Sequence, residues 1–359
     1  MEPSRDEIWT ALERVIDPEL RRSVVELDMV RDVAIDSGGV SVTIALTVPG
    51  CPLRSSFEQQ VAEALAPIAG VERVSLDFDV MSPEEKAALT TKLRGSVTER
   101  TKGISLDRST RVIAIASGKG GVGKSSLTVN LAAALAGQGQ QVGILDADVY
   151  GHSIPHLLGI RQRPIVVDKM IVPPVADGLK LMSIGFFLEE NSPVMWRGPM
   201  LHRALEQFLS DVHWGALDTL VVDMPPGTGD VSISLGQLLP RAEAIVVTTP
   251  QPLAQEVAAR AALMAQKTNM RLIGVVENMS GDIFGVGGGD QLAGELHVPF
   301  LGSVPLDPSL REAGDAGTPL VTSNPAAPAA KAVAALAEAI AETRREQGVG
   351  FVKALPVLS

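Results

Sequence analysis

Between residues 5 and 16 the apolar positions Ile8, Leu12, Val15 and Ile16 recur at helical spacing, and Asp17-Pro18 stops the pattern, which predicts an opening amphipathic helix. Val40 to Leu46 alternates apolar and polar residues after the Gly38-Gly39 turn, as a half-buried strand does. Phe57 to Ala66 then reads as a helix and Val74 to Val80 as a further strand, giving a small α+β domain over residues 1–81. Ser82-Pro83-Glu84-Glu85 has the form of a helix start, with a capping residue followed by proline. The polar stretch from Gly95 to Ser109 has no apolar period, so residues 82–109 read as a linker. From Arg111 the pattern changes. Short apolar runs at Val112–Ala116, Val142–Leu145, Thr219–Val222, Ala244–Val247 and Leu272–Val276 alternate with helical segments. That alternation predicts an α/β domain over 110–346, a doubly wound and mostly parallel sheet covered by helices on both faces. Residues 326–346 are alanine-rich, with Val333, Leu336 and Ile340 spaced to dock one face as a closing helix, and 347–359 form a C-terminal tail.

Composition narrows the class. Of 359 residues, 45% are hydrophobic and only 3% aromatic, so the core is built from Val, Leu, Ile and Ala. No apolar run approaches the length of a membrane span. The formal charge of −11 and the lack of any dense basic stretch argue against nucleic acid as a partner. The tail from Gly350 to Ser359 carries one lysine and a proline, too little for a basic membrane anchor. Cys51 is the single cysteine and closes no intrachain disulfide, and the acidic, polar N-terminus differs from a signal peptide. A reduced cytoplasm is the expected compartment.

The clearest chemistry lies in Gly118-Lys119-Gly120-Gly121-Val122-Gly123-Lys124-Ser125, followed by Ser126. It fits G-x-x-x-x-G-K-S/T, comes directly after the apolar run Val112–Ala116 and enters the helical pattern Leu127–Ala136. Backbone N–H groups of such a loop turn inward around phosphates, and the helix N-terminus adds partial positive charge. Lys124 is placed to reach the β and γ oxygens of ATP, and the Ser125 hydroxyl to ligate Mg²⁺. Asp146-Ala147-Asp148 and Asp223-Met224-Pro225-Pro226-Gly227 each follow a strand, at the edge where doubly wound sheets bind ligands. Asp223 suits the Mg²⁺ shell with Asp146 in support. Asp148 is the candidate for orienting the attacking water, and Gly227 can offer its N–H to the γ-phosphate. Asn278, after Leu272–Val276, has the donor and acceptor pair that reads an adenine edge.

Lys119 adds a charge that a simple phosphate cradle does not need. The Lys-Gly-Gly-x-Gly-Lys-Ser pattern resembles the deviant phosphate loop of MinD-like ATPases, in which that lysine crosses a dimer interface to the partner's nucleotide. Further strings extend the likeness: Asp146-Ala-Asp-Val-Tyr-Gly-His-Ser-Ile-Pro155, Met195-Trp-Arg-Gly-Pro-Met200, Asp223-Met-Pro-Pro-Gly-Thr-Gly-Asp230, Thr248-Thr-Pro-Gln251, Val276-Glu-Asn-Met-Ser280 and Ile283-Phe-Gly-x-Gly-Gly-Gly289. Together they resemble the Mrp/ApbC branch of that superfamily, the iron–sulfur cluster carriers. Residues 5–81, with Asp17-Pro18-Glu19 and Thr47-Val-Pro-Gly-Cys-Pro-Leu53, are similar to the small SufT-like domain found before many such ATPases. The resemblance implies a homodimeric, slowly ATP-hydrolysing protein that binds a [4Fe–4S] cluster and passes it to apo iron–sulfur proteins, working with assembly factors.

One string departs from the family. Cluster-holding members carry Cys-x-x-Cys between the Glu-Asn-Met-Ser strand end and the glycine-rich segment, where this chain has only Gly281-Asp282. A four-iron cubane takes four thiolates, and a dimer of this chain brings two, both Cys51. Cys51, between Gly50 and Pro52 and ahead of a helix, reads either as an activated metal-ligating thiolate or as a small buried hydrophobe. His152, His156, His202, His213 and His297 lack metal-ligand spacing with it, and Arg197 reads equally as a switch residue or a salt-bridge partner. Three functions stand beside one another: an ATP-dependent cluster carrier, a nucleotide-switched adaptor of cluster assembly that holds no iron, and a MinD or ParA-like positioning ATPase.

Overall fold

The computed structural model describes residues 3–36, 39–48, 53–94, 106–149, 151–187 and 198–348. They form two compact units, one drawn from within Met1–Arg108, Arg163–Val175 and Leu209–Gly215 and the other from within Ser109–Gln162, Ala176–Phe208 and Ala216–Ser359.

The smaller unit opens with the helix Arg5–Leu12, started by a capping box in which Ser4 and Glu7 exchange side-chain and backbone hydrogen bonds. The helix is shorter than its apolar pattern. Its C-cap is Glu13, and the chain turns through Val15 N–H to the Leu12 carbonyl, leaving Ile16 exposed while Val15 stays buried. A three-stranded sheet follows, in which Gly39–Leu46 pairs antiparallel with Val30–Asp36 and parallel with Arg73–Val80. The parallel pair needs a crossover, supplied by the helix Arg54–Leu65. Its Phe57, Val61 and Leu65, four residues apart, are fully buried against Ile8, Leu12, Ile44 and Leu46. Within the stretch expected as a linker, Pro83–Arg94 is helical and sinks Leu89 and Leu93 into this same core. A short hairpin of Ile165–Val167 and Met170–Val172 joins it, and Thr90 donates its hydroxyl to the Val167 carbonyl.

In the larger unit the strands of the main sheet run in the order Phe300–Pro305, Arg271–Ser280, Glu243–Thr248, Arg111–Ser117, Thr219–Asp223, Val142–Asp146, Leu179–Ser183. From Phe300–Pro305 to Leu179–Ser183 every neighbouring pair is parallel. Four of the strands, Val142–Asp146, Thr219–Asp223 and most of Glu243–Thr248 and Arg111–Ser117, are buried on both faces, which is why they read as continuous apolar runs. Chain order reverses at Arg111–Ser117. The chain leaves it for Val142–Asp146, returns to fill the gap with Thr219–Asp223, and then crosses to Glu243–Thr248 on the other side. Such a reversal opens a crevice at the carboxyl ends of the strands. The closing helix Pro328–Gly348 packs on Phe300–Pro305 and on the helix Lys124–Gly137, with Val333, Leu336 and Ile340 buried as their spacing predicts. Among the described residues no helix is long and apolar enough to cross a membrane.

Candidate functional site

The strand Arg111–Ser117 delivers the glycine loop into that crevice, and the helix Lys124–Gly137 carries it away. Two positions explain why the loop must be glycine. A Cβ on Gly118 would sit 2.1 Å from the Val257 backbone, and Gly123 caps the helix at φ 77°, where a Cβ would also meet the Asn278 amide at 2.3 Å. Ser117 ties the loop from within by donating its hydroxyl to the Lys119 carbonyl. No side chain caps the Lys124–Gly137 helix, so its first N–H groups are left for an external acceptor. The loop lines a cavity of about 410 Å³ with Ser117, Asp148, Gly151, Ser153 and Pro226.

Two carboxylates pair with Lys124, and a third, Asp146, feels its charge. The lysine ammonium is buried, 2.7 Å from Asp223 Oδ1 and 3.7 Å from Asp148 Oδ2, and these are ion pairs without a well-directed hydrogen bond. Asp223 is wholly buried and accepts hydroxyl hydrogens from Ser125 at 2.6 Å and Thr128 at 2.8 Å. Asp148 accepts the Gly151 N–H at 3.0 Å, which fixes its carboxylate at the cavity wall. Asp146 accepts from Ser183 Oγ and from the Asp148 N–H. Burial first, and the Asp223 charge second, push its carboxyl up to about 8, against the smaller lowering effects of those donors and of Lys124. Two buried acids this close create an electrostatic demand for a cation, and Ser125, Asp223 and Asp146 together are the oxygen donor set that Mg²⁺ prefers. An unsatisfied buried ammonium beside an uncapped helix start fits a phosphate equally well.

The residues expected at the phosphate site thus gather in one place, with two corrections. Gly227 donates its N–H to the Ser117 carbonyl at 2.8 Å, so that group closes the loop instead of standing open to a γ-phosphate. Asn278 commits its amide to the Val122 carbonyl at 2.8 Å and so holds the phosphate loop. The same residue also lines a second cavity of about 210 Å³ with Gly123, Ser126 and the apolar side chains of Leu157, Met279, Leu306 and Leu310. Lys119 is exposed at the rim of the first cavity. Thr128 and Ser183 are the residues that motif reading missed. Thr128 is four positions after Lys124 on one helix and so shares its face, a signal the sequence does contain. Ser183 comes from a separate strand and has no such signal.

Cys51 and Arg197 lie outside the described residues, as do residues 95–105 of the expected linker and the tail from 349 onward. Among the described residues no group of three or more His, Cys, Asp or Glu is placed to hold a metal ion, the five histidines included.

Comparison with known proteins agrees with this geometry. Residues 108–341 match the model of the NUBPL iron-transfer P-loop NTPases, and residues 5–76 match that of an iron–sulfur cluster assembly protein. A protein named iron–sulfur cluster carrier protein from Mycobacterium leprae is 50% identical, over 94% of this chain and 93% of its own. Its namesake from Bacillus subtilis is 43% identical, over 84% of this chain and 88% of its own. Among solved structures, a nucleotide-binding protein from Archaeoglobus fulgidus in complex with ADP is 38% identical, with a TM-score of 0.51, over 58% of this chain and 86% of that one. The cell division ATPase MinD of Pyrococcus furiosus, 23% identical with a TM-score of 0.52 over 65% of this chain and 99% of its own, shares the fold. With a matched model over most of its length and a 50% identical relative over nearly all of it, the chain belongs to the NUBPL-type iron-transfer P-loop NTPases, the family of the iron–sulfur cluster carrier proteins.

Proposed function

We propose that this chain is an ATP-hydrolysing carrier of iron–sulfur clusters that works in the cytoplasm as a homodimer and hands its cargo to apo-proteins. The observation that carries the reading is the buried Lys124 ammonium between Asp223 and Asp148 at the mouth of an uncapped helix. In this reading the loop from Gly118 to Ser126 cradles the ATP phosphates, and Lys124 moves from its carboxylates onto the β and γ oxygens as they arrive. Ser125 and Asp223, with Asp146 in support, would hold Mg²⁺, which would supply positive charge beside the transferred phosphoryl group. Asp148 orients the attacking water from the cavity wall. Lys119, exposed at the rim, reaches the nucleotide of the partner subunit, so that turnover requires the dimer. The apolar side chains of the second cavity take the adenine ring, beside an Asn278 held by its bond to Val122.

The relatives' name supports a cluster, and Cys51 is the one thiolate this chain offers toward it. A second reading, a nucleotide-switched adaptor that recruits assembly factors without holding iron, is favoured by Gly281-Asp282 standing where a Cys-x-x-Cys would be. Anaerobic reconstitution with iron and sulfide, on the wild type and Cys51→Ala, separates them. A visible chromophore with matching iron and sulfide that disappears in Cys51→Ala is the expected result. No chromophore in either protein, with ATP hydrolysis intact, would establish the adaptor.

A further inference from the structure

Next to Asn278 on the strand Arg271–Ser280 stands Glu277, a residue 1% exposed whose carboxylate has no part in the phosphate site. Its two oxygens accept the N–H of Gly287 at 3.2 Å and of Gly289 at 2.7 Å. Those glycines bound the far end of a tight turn. Gly281 and Gly285 close it with reciprocal N–H to carbonyl bonds of 2.9 and 2.7 Å, and it lifts Ile283 and Val286 to 75% exposure each. Thus consecutive residues of one strand, facing opposite sides of the sheet, hold two different glycine segments: Asn278 the phosphate loop through Val122, and Glu277 the turn. The strand between them is stiff, hydrogen-bonded in parallel to Glu243–Thr248 on one side and Phe300–Pro305 on the other.

We propose that Glu277 is a positioning residue that couples the apolar turn at 281–287 to the nucleotide-binding loop, so that nucleotide binding orders the turn and presents its aliphatic pair in a fixed geometry. The proposal rests on the nucleotide reading of the phosphate loop. Phosphate on the loop N–H groups immobilises Val122, whose carbonyl anchors Asn278, and the adjacent Glu277 carries that restraint to the Gly287 and Gly289 amides. Bonds from backbone N–H to a buried carboxylate are among the stronger ones in proteins, so the link does not slacken at its outer end.

Amide hydrogen exchange on the full chain, with and without saturating ADP and Mg²⁺, tests both layers separately. Protection of residues 118–126 reports nucleotide at the loop, and its absence would sink the nucleotide reading alone. In the wild type the amides of 281–289 should exchange about tenfold more slowly with ADP than without. In Glu277→Gln, whose amide nitrogen cannot accept one of the two glycine N–H groups, the loop should stay protected while the turn loses its response. In Asn278→Ala, at a nucleotide concentration where residues 118–126 are again protected, the turn should keep its nucleotide-free protection and again lose the response, which a purely structural role for Glu277 would not produce. A wild-type turn indifferent to bound ADP, or a response that survives Asn278→Ala, overturns the coupling. Those two measurements decide it even if Glu277→Gln does not fold.

Discussion

Two glycine-rich segments of this chain enter helices, and they have opposite electrostatics. The phosphate loop leads into Lys124–Gly137 with no side-chain cap, a buried ammonium lacking a directed hydrogen bond, and a cavity of about 410 Å³ in front of it. The segment from Gly281 to Gly287 leads into Gly288–Leu296, but there the Glu277 carboxylate already occupies the Gly287 and Gly289 amides. A helix start attracts an anion in both cases, and in the second the protein supplies its own. Glycine content is therefore a poor guide to a phosphate site. What distinguishes one is backbone N–H left open next to a cation that the fold has desolvated.

The sharpest way to break this comparison is to remove the cation. Lys124→Ala should lower ATP hydrolysis by roughly 10²-fold or more, since it takes away the charge facing the transferred phosphoryl group. If steady-state phosphate release stayed at the wild-type rate, the loop would be no more a nucleotide site than the second glycine segment. A smaller effect is expected at Lys119, which is exposed at the rim and belongs to no buried pair. Lys119→Ala should leave nucleotide affinity of the isolated chain within about twofold, yet reduce turnover at dimer-forming concentrations by about tenfold. Rates that do not depend on protein concentration in either protein would remove the role in trans.

How much of this was legible in the sequence follows from how local each feature is. The phosphate loop was, because its spacing is covalent and its flanking strand and helix are contiguous with it. So was the closing helix, whose Val333, Leu336 and Ile340 meet the core as a 3.6-residue period requires. Asp146, Asp148 and Asp223 could be placed together because strands of a doubly wound sheet end at one edge. Their partners could not: Ser183 reaches Asp146 from 37 residues away, and the spending of the Gly227 and Asn278 hydrogen bonds on the loop backbone depends on packing. In the smaller unit, Val30–Asp36 shows burial at only two of seven positions, so its edge strand left no alternation to read. The hairpin at 165–172 joins that unit's core across a long stretch of chain, and short apolar runs carry no record of which core they enter.

The smallest predicted effect sets the two buried carboxylates against each other. Glu277 faces backbone N–H groups, whereas Asp146 faces Asp223, and its carboxyl is pushed up from 3.8 to about 8 by burial and that neighbouring charge. Below the lower value Asp146 is protonated whether the protein is folded or not, so it imposes no penalty there. As pH rises from about 4 to about 8 the unfolded chain releases this proton and the folded one keeps it, so this group erodes stability across that window and most fully above it. Asp146→Asn removes the titration while retaining an acceptor for the Asp148 N–H, and the Ser183 hydroxyl can turn to accept from the new amide. In nucleotide-free and Mg²⁺-free protein, the Tm of the variant relative to wild type should therefore increase by about 2–4 °C between pH 4.5 and 8.5. A difference that stayed flat with pH would mean that Asp146 ionises as readily in the fold as outside it. The cation demand inferred at this site would then rest on Asp223 alone.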